Sequence, residues 1–354
     1  MIDGSHGEGG GQILRTALSL SVVAARAFRL KNIRSGRRNP GLLPQHLSAV
    51  RAAAAVSGAA VSGDQLGSTE LTFEPGHPAR NGDYVFDIAA TAERGSAGSE
   101  TLILHTLLVP LAFAKGTPAL VVRGGTHVEW SPPFDHLVNS YFPALRLMGF
   151  RVDAELNRWG WYPIGGGEVA CRIAAGANRR DDFWPKALEL VRRGSLRRIA
   201  GRAVAANLPS HIPQRMADGA RASLRDLGVP VDIDARTVTA ACPGAGIFLV
   251  AEYEELAASF SALGRPGKPS EAVADAAVAA FLEHHASAAA IELHLSDQLL
   301  LPLAFATGDS AFTVARPTGH LLTNAWTIGQ FGVAEIAIEA GAPSRVRIEP
   351  RSRL

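Results

Sequence analysis

The sequence predicts an α/β chain of the α+β type, with repeated helix-on-sheet units and a small inserted β-α-β-β domain. Three observations carry this. First, LLVPLAFAKGTPALVV at 107–122 returns as LLLPLAFATGDSAFTV at 299–314, a constant offset of 192 residues with most positions identical. Each copy reads as the end of an apolar helix, a glycine turn and a strand. Second, strands and helices alternate from the start to about residue 180, the pattern of helices laid on a sheet. Third, the rhythm changes near Asp181 and stays different to about Glu271, between the two copies and resembling neither.

The elements follow from local pattern. QILRTALSLSVVAA, 12–25, places Ile13, Leu14, Leu18 and Val22 on one helical stripe. FRLKNI, 28–33, alternates as a half-buried strand does, so this helix–turn–strand order is a faint third relative of the repeat. RSGRRNPG is a loop, and 44–57 is an Ala-rich helix ending at Gly58. Strands are expected at 61–73 and 84–88. A glycine-serine turn, 95–99, leads into the first strong repeat helix, and 120–123 is its strand. A helix over 132–148, a strand over 150–156 and the triple glycine of 165–167 follow. In the inserted block, 198–206, 229–235 and 247–253 read as strands and 213–227 as a helix. A helix over 271–286 returns the chain to the second repeat copy, 299–315.

Composition narrows the function classes. The chain has 354 residues, 47% of them hydrophobic and 19% charged, as a globular protein of more than one domain would. No apolar run approaches the roughly 18–20 residues of a membrane span, so no membrane role is expected. The amino terminus lacks the basic start and apolar core of a secretory signal, and a cytoplasmic location is expected. Cys171 and Cys242 form neither a disulfide framework nor a metal motif. The charge distribution says more than the net +2. Between Gly9 and Gly63 there is no acidic residue, while Arg15, Arg26, Arg29, Lys31, Arg34, Arg37, Arg38 and Arg51 all lie there. A one-sign field of this kind suits a phosphate-bearing ligand; a solvated basic face is the plainer reading.

Several short stretches carry candidate chemistry. His6-Gly7-Glu8-Gly9-Gly10-Gly11-Gln12 runs straight into a helix, where backbone amides can hold an anion. Glu8 stands where a carboxylate can hold a divalent cation beside phosphates. A structural turn explains the same residues. Arg34-Ser35-Gly36-Arg37-Arg38 offers planar guanidinium groups at short spacing for bidentate phosphate contacts, with Gln45 and His46 opening the next helix. His320 follows the second repeat strand, and only that copy ends in a histidine. No other His, Cys or carboxylate lies at metal-ligand spacing from it, which favours nucleophilic or acid–base work over zinc ligation.

Together these residues resemble the RNA 3'-terminal phosphate cyclase family. The resemblance rests on GEGGGQILR (7–15), IRSGRRNPGLLPQHL (33–47), GSAGS (95–99), GWYPIGGGEV (160–169), HLSDQLLLP (294–302) and GHLLTN (319–324), and covers nearly the whole chain. It implies three repeated units, each a sheet with two helices, forming a main catalytic domain over 1–181 and 276–354, with a small domain at 182–275. The enolpyruvyl transferases are the fold neighbour. The activity implied is ATP-dependent conversion of an RNA 3'-phosphate to a 2',3'-cyclic phosphodiester, through adenylylation of His320 and then of the RNA end. By the same resemblance, His105 and the His294, Leu295, Ser296, Asp297, Gln298 segment contact the nucleotide. Arg15, Arg34, Arg37 and Gln45 line the phosphate site, and Glu8 binds a divalent metal, Mg or Mn. Two positions depart from the family pattern: His105 replaces a glutamine, and Trp159 stands where Arg or His opens the triple-glycine signature. The other readings are an enolpyruvyl transferase-like enzyme and a non-catalytic RNA-binding assembly factor of the same fold, a branch without the His320 motif.

Overall fold

The first unit comprises β1 (Ile2–Asp3), α1 (Gln12–Ala24), β2 (Phe28–Lys31), α2 (Pro44–Ser57), β3 (Ala60–Ser62) and β4 (Leu71–Glu74). Its sheet has the order β1-β2-β4-β3, parallel between β1 and β2 and antiparallel elsewhere. The second unit repeats that order. It comprises β5 (Asp83–Asp87), α3 (Glu100–Ala112), β6 (Ala119–Gly124), α4 (Phe134–His136), α5 (Phe142–Leu147), β7 (Arg151–Arg158) and β8 (Gly167–Ala174). A π turn, Leu137–Tyr141, joins α4 to α5 where one uninterrupted helix was expected. The computed structural model describes residues 1–91, 97–174 and 183–351. The start of the expected turn at 95–99 and the expected boundary at 181/182 lie outside the described residues.

The third unit opens with β9 (Glu189–Leu190) and is interrupted by β10 (Leu196–Ala206), α6 (His211–Leu224), β11 (Val231–Val238), β12 (Gly244–Tyr253), β13 (Ala258–Leu263) and α7 (Ser270–Ala286). It resumes with α8 (Leu293–Leu303), β14 (Ser310–Val314), α9 (Gly319–Phe331), β15 (Ala334–Glu339) and β16 (Ser344–Pro350). β9 runs parallel to β14, and the sheet order β9-β14-β16-β15 matches the first two units. The faint third repeat is therefore real in three dimensions. The interrupting strands form a separate sheet, β11-β10-β12-β13, of different connectivity.

Burial explains the helices. Ile13, Leu14, Leu18 and Val22 of α1 are all buried, as the stripe predicts. α3 is apolar nearly all round because it packs against both α1 and α2. Pro110 near its end frees the carbonyl of Thr106 from its helical partner, and the Ser19 hydroxyl of α1 donates to that oxygen at 2.7 Å. The fourth sheet has its own core, including Ile199, Met216, Leu249 and Phe260, to which α7 adds Val273, Ala277 and Phe281. We propose that the small inserted domain begins after β9 and ends with α7. No helix among the described residues is long and apolar enough to cross a membrane.

Two polar seams hold the inserted sheet. Arg193, at the first crossing, donates to the carbonyls of His284 (2.8 Å), His285 and Ala289 (2.9 Å), at the second crossing. Arg202 of β10 grips Asp135 of α4 with two bonds, at 2.7 and 2.9 Å. Asp135 also meets Nε2 of the buried His127 at 2.8 Å, and Trp159 stacks between His127 and Arg202. Trp159 thus has a structural place in this seam. Arg193→Leu leaves three carbonyls without their donor and should cost about 3 kcal/mol, read as a lower urea midpoint.

Candidate active site

The repeat brings one position of three helices together. ILRT at 13–16 matches ILHT at 103–106, and the 192-residue offset carries His105 onto Asp297. Arg15, His105 and Asp297 are thus equivalent residues on α1, α3 and α8, and they feel one another. Burial, reinforced by the nearby Glu292, pushes the Asp297 carboxyl up to about 7, opposed by a hydrogen bond from Gln12 and the charge of Arg15. Burial draws Arg15 down to about 10, opposed by Asp297. His105 falls to about 3 through burial, then His136 and Arg15, so it is neutral. Its ring centroid lies 4.5 Å from that of Tyr141, and its buried Nε2 has no hydrogen-bond partner among the described residues.

Gln12, the first residue of α1, joins this trio to His320. Its Nε2 donates to Asp297 Oδ2 at 2.6 Å, and its Oε1 meets His320 Nδ1 at 2.5 Å. Glu8 Oε2 lies 3.0 Å from the same Nδ1. Two acceptors on Nδ1 select the tautomer with its proton there, leaving Nε2 with a free lone pair. His320 is the second residue of α9, which Thr318 caps by accepting from Leu321 N at 3.0 Å. Its pKa is lowered by burial, with Arg15, His294 and Arg37 acting in the same direction and Glu8 opposing. The neutral imidazole is the resting form at pH 7.

The basic loop surrounds this pair. Arg37 reaches within 3.7 Å of Glu8 Oε2. Arg34 closes its own loop by donating to the carbonyls of Asn39 (2.6 Å) and Gly41 (2.9 Å). Burial and the nearby Arg37 lower its pKa. His46 is buried and held well below its usual range by burial, then by Arg15 and Arg34. Gln45 Oε1 accepts from Ser99 N at 3.4 Å, tying α2 to the start of α3. The glycines make room: a Cβ on Gly11 would lie 2.3 Å from His46 Nε2, and one on Gly319 would lie 2.4 Å from Glu8 Oε1.

The segment 294–298 divides by helical period. His294 is exposed and Asp297 and Gln298 are half-buried, whereas Leu295 and Ser296 are buried. The Ser296 hydroxyl donates back to Leu293 O, so those two side chains serve packing. Glu292 caps α8 by accepting from His294 N and Leu295 N. Among the described residues no three His, Cys, Asp or Glu side chains are grouped to hold a metal.

Comparison with known proteins shows the family. A model of the RNA 3'-terminal phosphate cyclase family matches residues 6–338. The chain belongs to that family. A protein of Methylococcus capsulatus named RNA 3'-terminal phosphate cyclase is 50% identical over 337 residues, covering 95% of this chain and 92% of its own. Proteins of the same name from Gloeothece citriformis and Thermococcus onnurineus are 47% and 42% identical, covering 95% and 98% of this chain and 94% and 98% of their own lengths.

Within this cyclase-family chain, Arg15, Arg34, Arg37, Gln12, Glu8, Asp297 and His320 form one linked cluster. His105 joins it from the third helix. Gln12, Asn324 and His136 escape a search for nucleophiles and metal motifs, because their part is to hold other side chains. The 90-residue match of ILRT to ILHT is the signal that points to this helix face. The raised Asp297 carboxyl gives a test. The folded protein binds more protons than the unfolded chain between pH 3.8 and about 7, so Asp297 makes stability fall as pH rises through that window. Asp297→Asn should therefore gain thermal midpoint relative to wild type from pH 4 to 7 and level off above; a constant difference would contradict the shift.

Proposed function

We propose that this protein converts the 3'-terminal phosphate of RNA to a 2',3'-cyclic phosphodiester, using ATP in a ligase-type nucleotidyl transfer with His320 as the adenylylated residue. One observation carries the reading: Glu8 and Gln12 engage Nδ1 of His320, and its Nε2 has no protein partner among the described residues, with Arg15 and Arg37 close enough to act on the ring. The Nε2 lone pair attacks the α-phosphorus of ATP, forming an N–P bond as the bond to pyrophosphate breaks. Glu8 and Gln12 hold the Nδ1 proton and stabilise the imidazolium that develops. A terminal phosphate oxygen of the RNA then attacks the same phosphorus and releases His320. The neighbouring 2'-hydroxyl finally attacks the activated terminal phosphorus and expels AMP, an intramolecular step favoured by proximity.

Arg15, Arg34 and Arg37 suit the phosphates of ATP and of the RNA end, with Gln45 at the edge of the same cluster. Asp297 and Gln298, with the exposed His294, form the nucleotide side, and His105, its Nε2 buried, stands at the matching position of α3. A divalent ion of the Mg or Mn type fits a site with one carboxylate, since such ions keep waters and take phosphate oxygens as further ligands. Glu8 would hold it, and the ion would offset phosphate charge. The family match and the relatives' names support the reaction class.

Incubation with ATP labelled at the α-phosphate should leave acid-labile label on the protein, and His320→Ala should abolish both labelling and cyclisation of a short 3'-phosphorylated RNA. Label surviving that substitution would refute His320 as the nucleophile. The neutral imidazole is the reactive form, so the labelling rate should fall on the acid side through a pKa below 6.5. Glu8 raises that pKa, so in Glu8→Gln the acid limb should move to lower pH, whatever the loss in amplitude; a move to higher pH would contradict the assignment.

A further inference from the structure

His136 of α4 is buried, 5% exposed, and lies outside the catalytic cluster. It is the repeat counterpart of His46, 90 residues on and also third in its helix. The two histidines are used differently. His46 turns Nδ1 back to its own helix start, accepting from Leu43 N at 3.3 Å. His136 turns both ring nitrogens outward. Nδ1 meets Ser259 Oγ of β13 at 3.1 Å, and Nε2 meets Gln298 Oε1 of α8 at 3.1 Å. Ser140 in turn donates to Ser259 Oγ at 2.9 Å.

This chain has a direction. Gln298 Oε1 can only accept, so the ring proton of His136 resides on Nε2 and is donated to it, and Nδ1 accepts from the Ser259 hydroxyl, whose oxygen accepts from Ser140. Glu292 Oε1 lies 3.9 Å from the same Nδ1, beyond hydrogen-bond reach. The Nε2–H donor holds the oxygen end of the Gln298 carboxamide toward the protein. Its NH2 has no protein partner among the described residues, and Gln298 is half-buried beside Asp297. Phosphate and ribose oxygens accept hydrogen bonds, so an NH2 facing them attracts where a carbonyl would repel.

We infer that His136 is a positioning residue for the nucleotide site, holding the Gln298 carboxamide so that its NH2 is presented to an acceptor oxygen of ATP. Through Ser259 the same contact makes the inserted domain part of nucleotide recognition, although it supplies no group to the phosphate cluster. The inference rests on the ATP-dependent reading above and adds a residue, a direction of donation and a role for the insert.

The test is steady-state cyclisation of a 3'-phosphorylated oligoribonucleotide by the full-length protein with ATP varied. His136→Phe keeps the ring and removes both bonds; the KM for ATP should rise about ten-fold, the loss expected for one hydrogen bond to a charged acceptor. kcat should stay within about two-fold, since the bond is present before and during the reaction. Gln298→Ala should give the same rise, and the double variant no more than either single change. His136→Gln, which restores a donor to Gln298, should recover most of the affinity. Ser259→Ala, which leaves the ring in place, should raise KM about three-fold and decides the matter if His136→Phe does not fold. Unchanged KM in folded His136→Phe, or multiplicative effects in the double variant, overturns the inference. Wild-type protein that takes no label from ATP would instead overturn the parent reading.

Discussion

The site depends on one carboxamide. Gln12 holds Asp297 through its nitrogen and His320 through its oxygen, so a single rotamer sets the distance between two helices of the third unit from a position on the first. Thr16, one turn later on α1, repeats the tie by donating to Asn324 Oδ1 at 2.7 Å, and Asn324 Nδ2 donates to Asp297 O at 2.7 Å. His320 is therefore oriented by packing between units rather than by its own loop. Buried polar bridges of this kind are costly unless every member is satisfied, and these members are satisfied mutually.

Three copies of one scaffold have taken three chemistries. The equivalent helix positions hold a cation, a neutral imidazole and a carboxylate whose proton is retained near neutrality. The second residues of α2, α4 and α9 are Gln45, Asp135 and His320, and all three stand at helix starts, where the backbone favours negative charge. Asp135 is consumed by Arg202 and His127, binding the inserted sheet. Gln45 ties α2 to the start of α3. His320 keeps its Nε2 without a protein partner among the described residues. Duplication placed the three alike, and the neighbours of each decided its use.

Much of this was readable in the sequence. Periodicity located α1, α2 and α8, the constant offset exposed the repeat, and the acid-free stretch marked the arginines that now surround Glu8 and His320. Local pattern missed β1, β9, β13 and the β15–β16 pair, which are two residues long or depend on distant partners for their edges. The 61–73 stretch splits into β3 and β4 because the chain reverses at Gly63 and Gly67, both at positive φ. The expectation that the whole 294–298 segment faces a ligand had no means of separating Ser296 from Asp297; the helical turn does so by placing them on different faces. Gln12 and His136 were beyond reach because local pattern gives no sign of the distant side chains they hold.

His320 and Gln12 are separated by 308 residues and meet only when α9 docks on α1. A ribosome delivers the arginine-rich first unit well before the helix that carries His320. Every fragment ending before that helix has the arginine-rich stretch without His320. The Gln12–His320 contact therefore forms only once the first unit has closed against the last.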